Sequence, residues 1–423
     1  MAEKRRKILF LNAYYFPGFQ SGGPQQTIAN VIEAFGDKAD MHVLTQNYDM
    51  GNKKQYENIS VNQWLTRGKG RVMYLSCRNY NYANIKRAYE NFEIVYSCSM
   101  FEKNMLLVML VHRLSKEKKK LYIAPMGVFS AGAIRQKWLK KKLYLNVLKW
   151  SGLLKDIVWS FTSEMEWNEA RMVMGARAVK EYIIAEDIPQ KADFDKQLAL
   201  CRARKKKKGQ LRIVFVSRIC EKKNLDFCFD ILHEITGIRI KFDIYGTIEE
   251  KKYWKFCQNK KNALPDNIDT DYLGELNPQD VISVFGKYDI FLFPTKGENY
   301  GHVIYESLCA GCLPVISDKT PWTDIAAQKA GSVICLSDIG GFRNAVTEYA
   351  EMDGEIMNNM RENAVKLAKN QYKKALKNSG YQTLLALAGG GDTERFYKKI
   401  AIFIKKMELF WTDSWKAALS VKV

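Results

Sequence analysis

Short apolar runs recur along the whole chain, and most segments between them have the length and periodicity of helices. The runs in the first half are KILFLN, MHVLT, RVMYL, EIVYS, LYIAP and EYIIA. Those in the second half are RIVFVS, KFDIY, TDYLG, DIFLFP, LPVIS and SVICL. Runs of this kind, rich in β-branched and aromatic residues, predict strands. Because strands that alternate with helices form parallel sheets, each half is predicted to be a doubly wound α/β domain.

The length of the chain favours two domains, because 423 residues exceed the size of a single hydrophobic core. We expect a first domain at residues 1–190, a linker at 191–209 and a second domain at 210–390. The linker shows no strong period and ends in six basic residues out of seven, which fits a solvated connection or a phosphate-binding patch. An apolar stripe at helical spacing within 394–423 is expected to pack back on the first domain.

The charge of the chain limits its partners. There are 66 lysines and arginines against 46 aspartates and glutamates, which gives a net charge of +20. Such a field favours nucleotides, nucleic acid or a phospholipid surface. The basic residues are not interleaved with aromatic ones as in a recognisable nucleic-acid module, so we expect no nucleic-acid partner.

Cysteine usage and the N-terminus indicate the compartment. Nine cysteines without regular spacing predict free thiols in a reducing environment. Cys309 and Cys312 mimic half of a redox or zinc site but have no second pair, so we interpret them as small buried residues. The start of the chain resembles a signal peptide, but Asn12 and Pro17 interrupt it and a strand from Lys7 to Leu11 fits better. We expect a cytoplasmic protein.

Two such domains in series place strand ends and helix N-termini on a shared cleft. Helix N-termini suit phosphates because their N–H groups are free and the helix dipole is positive there. Gly22 and Gly23 open a helix after the first strand and let the backbone approach a ligand. Arg218 and Lys223 follow the first strand of the second domain, where two cations can clamp a diphosphate. Two unrelated surface cations are the alternative.

The segment GENYGHVIYE, residues 297–306, carries the most specific pattern in the chain. Its glycines allow a tight turn, and the N–H groups near Gly301 open a helix. Glu298 lies in the loop and Glu306 lies one turn into that helix. A carboxylate accepts hydrogen bonds from neighbouring hydroxyls of a ribose or a hexose. The segment therefore predicts a cradle for a sugar nucleotide.

The wider segment FPTKGENYGHVIYESLCAGCLPVISDKTPWTDI resembles the signature of the family 4 retaining glycosyltransferases, which have the GT-B fold of two Rossmann-like domains. The family pattern E-x7-E followed by E-(A/S)-L-x-x-G-x-P-V-I is matched at Glu298, Glu306, Ser307, Leu308, Gly311, Pro314, Val315 and Ile316. Its R-x4-K, its glycine turn and its N-terminal glycine loop are matched at Arg218, Lys223, Tyr245, Gly246, Thr247, Gly22 and Gly23. The resemblance spans most of the chain and is strongest over residues 211–335.

The resemblance implies a role for each matched residue. Glu306 would bind the donor ribose, Glu298 would contact the transferred sugar, and Arg218 and Lys223 would stabilise the leaving diphosphate. The other donor-binding residues would be Asn299, Tyr300, Gly301, His302, Gly246, Thr247, Gly22 and Gly23. Family members retain the anomeric configuration by attack on the same face, with a donor phosphate oxygen taking the acceptor proton. No metal and no cofactor is expected.

The first domain departs from the common family pattern. Many members have a histidine after the strand equivalent to LYIAP, where this chain has Met126 in APMGVFSAGAIRQK. Ser160, in VWSFTSEMEWNE, replaces another histidine. Both segments resemble variants found among surface-polysaccharide transferases. Thr162, Ser163 and Glu166 are candidates for catalysis, although a helix N-cap with its acidic partner explains the last two equally well.

Two further patterns resemble metal sites. Asp269-Thr-Asp271 has the D-x-D spacing that holds a metal in other glycosyltransferases, but we expect it before the short strand YLG and away from the cleft. The histidines, His42, His112, His233 and His302, show no metal spacing.

Residues 135–150, RQKWLKKKLYLNVLKW, predict a basic helix that carries aromatic residues. Leu139, Leu143, Val147 and Trp150 align along it, whereas Trp138 and Leu145 point away among the lysines. One face in the core and another on anionic lipid headgroups would explain this pattern, and a solvated basic face is the alternative.

Together these features predict a retaining glycosyltransferase. It would move a hexose-type sugar from a nucleotide sugar to a lipid-linked glycan acceptor in the synthesis of capsule or lipopolysaccharide, on the inner face of the plasma membrane. The alternatives are another GT-B enzyme that uses a sugar nucleotide, such as a phosphorylase or an epimerase, and a non-catalytic basic protein that binds anionic lipid or nucleic acid.

Overall fold

A computed structural model describes residues 5–18, 20–51, 54–135 and 137–387, so the helix expected within 394–423 lies outside the described residues. The first sheet consists of the strands β1 (Lys7–Leu11), β2 (Asp40–Gln46), β3 (Trp64–Arg67), β4 (Gly70–Leu75), β5 (Ile94–Cys98), β6 (Lys120–Ala124), β7 (Ile157–Phe161) and β8 (Tyr182–Ile184). Their order is β3-β4-β2-β1-β5-β6-β7-β8, and β3 alone among these strands is antiparallel to its neighbour.

Helices cover both faces of this sheet. They are α1 (Gly23–Phe35), α2 (Tyr82–Glu90), α3 (Lys103–Leu114), α4 (Ala131–Arg135), α5 (Trp138–Trp150) and α6 (Glu164–Met174). Side chains alternate across β1, so that Leu9 and Leu11 join one buried cluster and Ile8 and Phe10 join the other. Near-continuous apolar strands are expected where a parallel sheet is buried on both faces.

The second sheet has six parallel strands in the order β11-β10-β9-β12-β13-β14. They are β9 (Gln210–Val216), β10 (Arg239–Tyr245), β11 (Ile268–Tyr272), β12 (Ile290–Phe293), β13 (Leu313–Ser317) and β14 (Ser332–Ile334). The remaining helices are α7 (Phe194–Ala203), α8 (Leu225–His233), α9 (Lys251–Asn262), α10 (Val281–Phe285), α11 (His302–Cys309), α12 (Ile339–Glu351), α13 (Gly354–Asn378) and α14 (Gly380–Leu387), with a 3-10 helix at Glu221–Lys223.

All twelve predicted apolar runs contain strands, which confirms the two-sheet α/β fold. Two strands, β3 and β7, were not among the predicted runs. A smaller error concerns Asp269 and Asp271, which lie inside the edge strand β11 and not before it. Their side chains are exposed and lie on one face of the strand, because alternate residues of a strand point to the same side.

The expected linker is more structured than its sequence indicates. Its helix α7 packs against α13, and Phe194 and Cys201 belong to the buried cluster of the second domain. The Arg204 guanidinium donates hydrogen bonds to the carbonyl oxygens of Tyr288, Gly311 and Ala310. Part of the basic run therefore anchors the connection to the second domain.

The chain returns to the first domain at α14, which ends the described part of the chain. Tyr381 and Leu384 of this helix are buried with residues of the first sheet. The Tyr381 hydroxyl lies 3.2 Å from the Tyr96 hydroxyl, which in turn donates to Ser160 Oγ at 2.9 Å. Within the described residues, two connections thus join the domains, one after β8 and one before α14.

Parallel strands end at one edge of each sheet, and these edges carry the loops of the cleft. Ser99 follows β5, Met126 follows β6 and Thr162 follows β7 in the first domain, while Arg218 follows β9 and Thr247 follows β10 in the second. Among the described residues, no helix combines the length and the apolar character needed to span a bilayer.

Candidate active site

A cavity of about 490 Å³ lies between the two domains, and both contribute to its walls. Every residue predicted to bind the donor or to stabilise its leaving group lines it, except Gly246. The lining residues of that set are Gly22, Gly23, Arg218, Lys223, Thr247, Glu298, Asn299, Tyr300, Gly301, His302 and Glu306. The cleft therefore brings together residues that are far apart in the sequence.

A larger cavity of about 710 Å³ lies along α1 and shares Gln26 and Pro278 with the cleft. Its walls include the rings of Tyr15, Tyr74 and Tyr372. No predicted site residue lines it. We place the chemistry in the smaller cavity because carboxylates, cations and helix N-termini converge there.

The helix N-termini of α1 and α11 open into the cleft. Gly22 precedes the first residue of α1, and Gly301 precedes the first residue of α11. Neither helix has a side-chain cap that accepts a hydrogen bond from its first N–H groups. Those N–H groups suit an anionic ligand.

Lys223 and Glu298 form a buried ion pair. Lys223 Nζ donates to Glu298 Oε1 at 2.6 Å, and each side chain is only about one-tenth exposed, at 10% and 11%. Thr295 Oγ1 donates to the same carboxylate oxygen at 2.9 Å. The pair fixes the loop before α11 to the 3-10 helix that follows β9. A ligand therefore meets a neutralised pair at this point.

Arg218 is also paired, but at the surface. Its Nη1 donates to Glu249 Oε2 at 2.6 Å, and both side chains are about half exposed. Exposed pairs of this kind contribute little to stability, so Arg218 can exchange Glu249 for another anion. Lys222, which was not predicted, lines the same wall. Lys222 could have been predicted from its position in the sequence, because it lies between Arg218 and Lys223.

Glu306 lies one turn into α11, as predicted. Its carboxyl group lines the cleft, and burial raises its pKa to about 8. At neutral pH the group is therefore protonated in most molecules of the free protein. A carboxyl in this state can donate one hydrogen bond and accept others, which suits the hydroxyls of a sugar.

Gly246 supports the cleft from behind. Its φ of 145° lies in the region that favours glycine, and a Cβ there would lie 1.7 Å from the Ser217 carbonyl oxygen. The carbonyl oxygen of the next residue, Thr247, accepts a hydrogen bond from Ile219 N at 2.8 Å. The turn thus holds two loops of the second domain together, and Thr247 alone of the pair faces the cavity.

The loop 297–302 also touches the first domain. The Asn299 side chain packs on Gly127, where a Cβ would lie 1.6 Å from Asn299 Nδ2. His302 Nε2 lies 3.4 Å from Thr27 Oγ1 and 3.7 Å from Asp187 Oδ2. Thr27 and Asp187 were not predicted, because nothing in their local sequence marks them.

Burial shifts the pKa values of Asp187 and His302 in opposite directions. It raises the pKa of the Asp187 carboxyl to about 6 and lowers the pKa of the His302 imidazole to about 4. At neutral pH the pair consists of a carboxylate and a neutral ring. Tyr300 packs against the same ring, with centroids 4.8 Å apart, and its carbonyl oxygen accepts from Trp322 Nε1 at 2.5 Å.

The first-domain candidates have separate roles. Thr162 lines the cleft, whereas Ser163 caps α6 by accepting from Glu166 N at 3.2 Å. The Glu166 carboxylate accepts from Gly127 N at 2.5 Å, from Thr162 N at 2.7 Å and from Thr162 Oγ1 at 2.8 Å. These bonds support the loop after β6, which contains Met126 at a φ of 58°. Glu166 is thus a buried organiser of the loops around the cleft.

The sequence patterns that resemble metal sites do not form such sites in the described ranges. No group of three or more His, Cys, Asp or Glu side chains there could hold a metal ion. Lys241 Nζ binds Asp269 Oδ2 at 2.9 Å and Asp271 Oδ2 at 2.5 Å, outside the cleft. His112 Nδ1 lies 2.7 Å from the Tyr89 hydroxyl. His42 packs against the rings of Trp64 and Phe92, and His233 ends α8.

The nine cysteines are all free, and Cys309 and Cys312 are fully buried. This confirms their interpretation as small buried residues. Burial raises the pKa of both thiols, which makes them poor nucleophiles.

The two facing Rossmann-like domains define the GT-B class of glycosyltransferase folds. Anabaena HepE, whose structure was solved in complex with UDP and glucose, aligns with 93% of this chain and 100% of its own, at a TM-score of 0.62 and 14% identity. WaaG, a glycosyltransferase involved in lipopolysaccharide biosynthesis, aligns with 91% of this chain and 100% of its own, at a TM-score of 0.59 and 13% identity. These similarities show the fold.

The family assignment comes from the second domain. Residues 199–367 match the family model described as "Glycosyl transferases group 1", and this domain belongs to that family. An uncharacterized 41.2 kDa protein in the cps region of Klebsiella pneumoniae is 22% identical over 237 residues, which cover 55% of this chain and 61% of the relative. The match therefore spans less than two thirds of the length of that relative.

The raised pKa of Glu306 predicts a pH-dependent stability. Between the ordinary pKa of a glutamate and about 8, the folded protein keeps a proton at Glu306 that the unfolded chain releases. The free energy of unfolding should therefore fall as the pH rises through this window, by at most about 1.4 kcal/mol per pH unit. Glu306→Gln mimics the protonated group, so the Tm of this variant relative to the parent should increase from pH 5 to about pH 8 and then level off.

The control is Glu117→Gln, because the Glu117 side chain is 83% exposed. This variant should keep a constant Tm difference from the parent over the same range. Parallel pH profiles for Glu306→Gln and the parent would contradict the burial of a protonated Glu306.

Proposed function

We propose that this protein is a retaining glycosyltransferase that moves a hexose-type sugar from a nucleotide sugar to a glycan acceptor. One observation carries the proposal: Glu298, Glu306, Arg218 and Lys223 line a single cleft between the two domains. The cations and the helix-start N–H groups would bind the diphosphate, and the two glutamates would contact hydroxyls of the sugar and the ribose. UDP bound to HepE supports a nucleotide donor for this fold.

Retention is proposed from the chemistry of the first domain. In same-face attack, the bond between the anomeric carbon and the leaving phosphate oxygen breaks while the acceptor oxygen bonds to that carbon, and the acceptor proton passes to a phosphate oxygen. The mechanism needs charge stabilisation at the leaving group more than a protein base. The hydrogen bonds of Glu166 agree with this mechanism, which needs no protein base. Its carboxylate already accepts hydrogen bonds from Gly127 and Thr162.

The acceptor we propose is a lipid-linked glycan of surface-polysaccharide synthesis. Two similarities support this setting: the relative in the cps region of Klebsiella pneumoniae and the fold of WaaG. The net charge of +20 would favour an acceptor presented at an anionic membrane. A phosphorylase or an epimerase on the same fold would use the donor site without a glycan acceptor at a membrane.

The exposed face of α5 supports attachment to such a membrane. Leu139, Leu143, Val147 and Trp150 are 78%, 67%, 55% and 89% exposed, and they form one stripe along the helix. The buried face is instead that of Leu145 and Leu148, so the aligned residues are the ones that face outward.

Lysines border this stripe on both sides, which matches an anionic lipid surface. Lys140 lies on one side, and Lys142 and Lys149 lie on the other. Lys142 Nζ also lies 5.2 Å from the centre of the Trp138 ring. Exposed apolar residues bordered by lysines are typical of a helix that lies in the plane of the interface, with each cation near the surface contributing about 1 kcal/mol. We propose that the protein is peripheral on the inner face of the plasma membrane through α5.

The donor site is tested by a panel of UDP-, GDP- and ADP-sugars, read by Tm shift and by slow hydrolysis. With the donor so identified, Arg218→Ala should lower turnover by roughly 10²-fold, the scale of losing a preorganised charge at the leaving group. Lys223→Ala should lower it at least as much, because it also strips the buried Glu298 carboxylate of its partner. Glu306→Ala should mainly weaken donor binding.

The matched control is Arg202→Ala, which breaks a surface ion pair with Glu362 outside the cleft. It should keep the turnover of the parent. Near-normal turnover in Arg218→Ala would refute the role of this cation. A protein that binds the whole panel without any hydrolysis or transfer would favour the non-catalytic alternative.

Catalysis is expected to survive EDTA, since no metal is needed in the proposed site. The cations and the helix-start N–H groups supply the positive charge, and Lys241 already engages Asp269 and Asp271. The measurement is the initial rate before and after chelation. Loss of activity with rescue by Mn²⁺ or Mg²⁺ would return these two aspartates to consideration.

Membrane attachment predicts co-sedimentation with anionic but not with neutral liposomes, and weaker binding at high salt because of screening. The triple variant Lys140→Gln, Lys141→Gln and Lys142→Gln should bind anionic liposomes less. Among the three lysines, Lys141 should contribute least to liposome binding, because its Nζ donates to the Ala133 carbonyl oxygen at 2.6 Å. Leu143→Gln with Trp150→Gln should reduce binding by removing the apolar contact.

Met172→Gln is the control for the apolar change, because Met172 is 79% exposed on α6 of the same domain. It should bind liposomes as the parent does. Equal recovery of all variants and the parent in the supernatant, with either lipid, would refute attachment through α5.

A further inference from the structure

Three side chains from three separate segments meet at the floor of the cleft. Thr27 lies in α1, Asp187 lies in the connection after β8, and His302 is the first residue of α11. Thr27 Oγ1 donates to Asp187 Oδ1 at 2.8 Å, and His302 Nε2 approaches both partners. The contact thus joins the first domain to the donor loop of the second.

The contact is enclosed by protein. Thr27 is 1% exposed and Asp187 is 8% exposed. A hydrogen bond inside a protein is not weakened by water as one at the surface is, and a carboxylate left there without a partner is costly. The three side chains therefore favour one another over solvent, and separation of the domains would expose Asp187 and His302.

A second contact acts on the same loop. Asn299 lies directly on the backbone of Gly127, three residues before His302. Between the two contacts, the Tyr300 ring packs on Trp322 of its own domain, with centroids 5.6 Å apart. The first domain therefore touches the loop on both sides of Gly301, whose neighbouring N–H groups open α11.

We propose that Thr27, Asp187 and His302 are positioning residues, which form an interdomain clasp that holds the loop 297–302 and keeps the cleft closed. The clasp is defined by these three residues. The inference goes beyond the proposed reaction and does not depend on it, because closure of the cleft can be measured without a substrate.

The chain carries its own labelling sites for this measurement. Seven of the nine cysteines are buried, while Cys77 in the first domain and Cys335 in the second are exposed. Spin labels on these two thiols report the distance between the domains by pulsed electron paramagnetic resonance. Mass spectrometry should confirm two labels per chain.

Thr27→Val removes the hydroxyl and keeps the shape of the side chain. It should give a longer mean distance between the labels, or a second and longer population. Asp187→Ala and His302→Ala should have the same effect. Thr27→Ser keeps the hydroxyl and should show the same label distance as the parent. Thr45→Val is the matched control, because Thr45 is a fully buried threonine of the same domain whose hydroxyl donates to the Ala13 carbonyl oxygen at 3.2 Å.

Amide hydrogen exchange provides the second measurement, because a clasp that positions the loop must also protect it. Exchange over residues 297–304 should accelerate by roughly 2- to 10-fold in Thr27→Val, the range that the loss of one ordinary hydrogen bond gives. Exchange in the central strands β9 and β12 should not change. A merely structural role would accelerate exchange throughout both domains.

The proposal is overturned if the label distance of Thr27→Val equals that of the parent, or if Thr45→Val opens the cleft to the same extent. It is also overturned if residues 297–304 exchange at the parent rate in all three variants. Should Thr27→Val fail to fold, His302→Ala decides the question, because the His302 side chain is 15% exposed and belongs to none of the buried apolar clusters.

Discussion

The structure depends on a six-residue loop, 297–302, that is fixed from both domains. On its own side, the buried pair of Lys223 and Glu298 ties the loop to the segment after β9. On the other side, Asn299 rests on Gly127 and His302 approaches Thr27 and Asp187. The N–H groups that open α11 lie between these restraints. Their direction is therefore a property of both domains together, and the φ of 76° at Gly127 with the close approach of Asn299 favours a glycine at that position.

Charge within the cleft is arranged in pairs of unequal strength. The Lys223–Glu298 pair is buried and hydrogen-bonded, and breaking such a pair by removing one partner costs several kcal/mol. The Arg218–Glu249 pair is exposed and contributes little to folding. An arriving diphosphate would thus displace Glu249 with ease and leave the inner pair in place. Lys223 is therefore held in one position by a buried pair, whereas Arg218 is held only by an exposed one.

The sequence predicted what depends on local pattern. Twelve of the fourteen strands in the described residues, a helix that begins near Gly301 and the positions of Glu298 and Glu306 follow from apolar runs and short spacings. The helix α7 was missed although Phe194, Leu198 and Cys201 recur at helical spacing, because charged residues surround this single short repeat. The partners of His302 could not be predicted, since Thr27 lies 275 residues away from it and Asp187 lies 160 residues from Thr27. The outward face of α5 was ambiguous because both of its sides carry apolar residues.

Between residues 5 and 387 the chain passes twice between the domains, and these two connections limit how the domains can move. A body attached at one point can swivel in any direction, whereas a body attached at two points turns only about the line through them. Here the attachments are the connection after β8 and the start of α14, where Gly380 meets the Ile184 carbonyl oxygen so closely that a Cβ would lie 2.1 Å from it. The cleft can therefore open and close by rotation about a single hinge axis. Each closure brings the same residues of the two domains into contact.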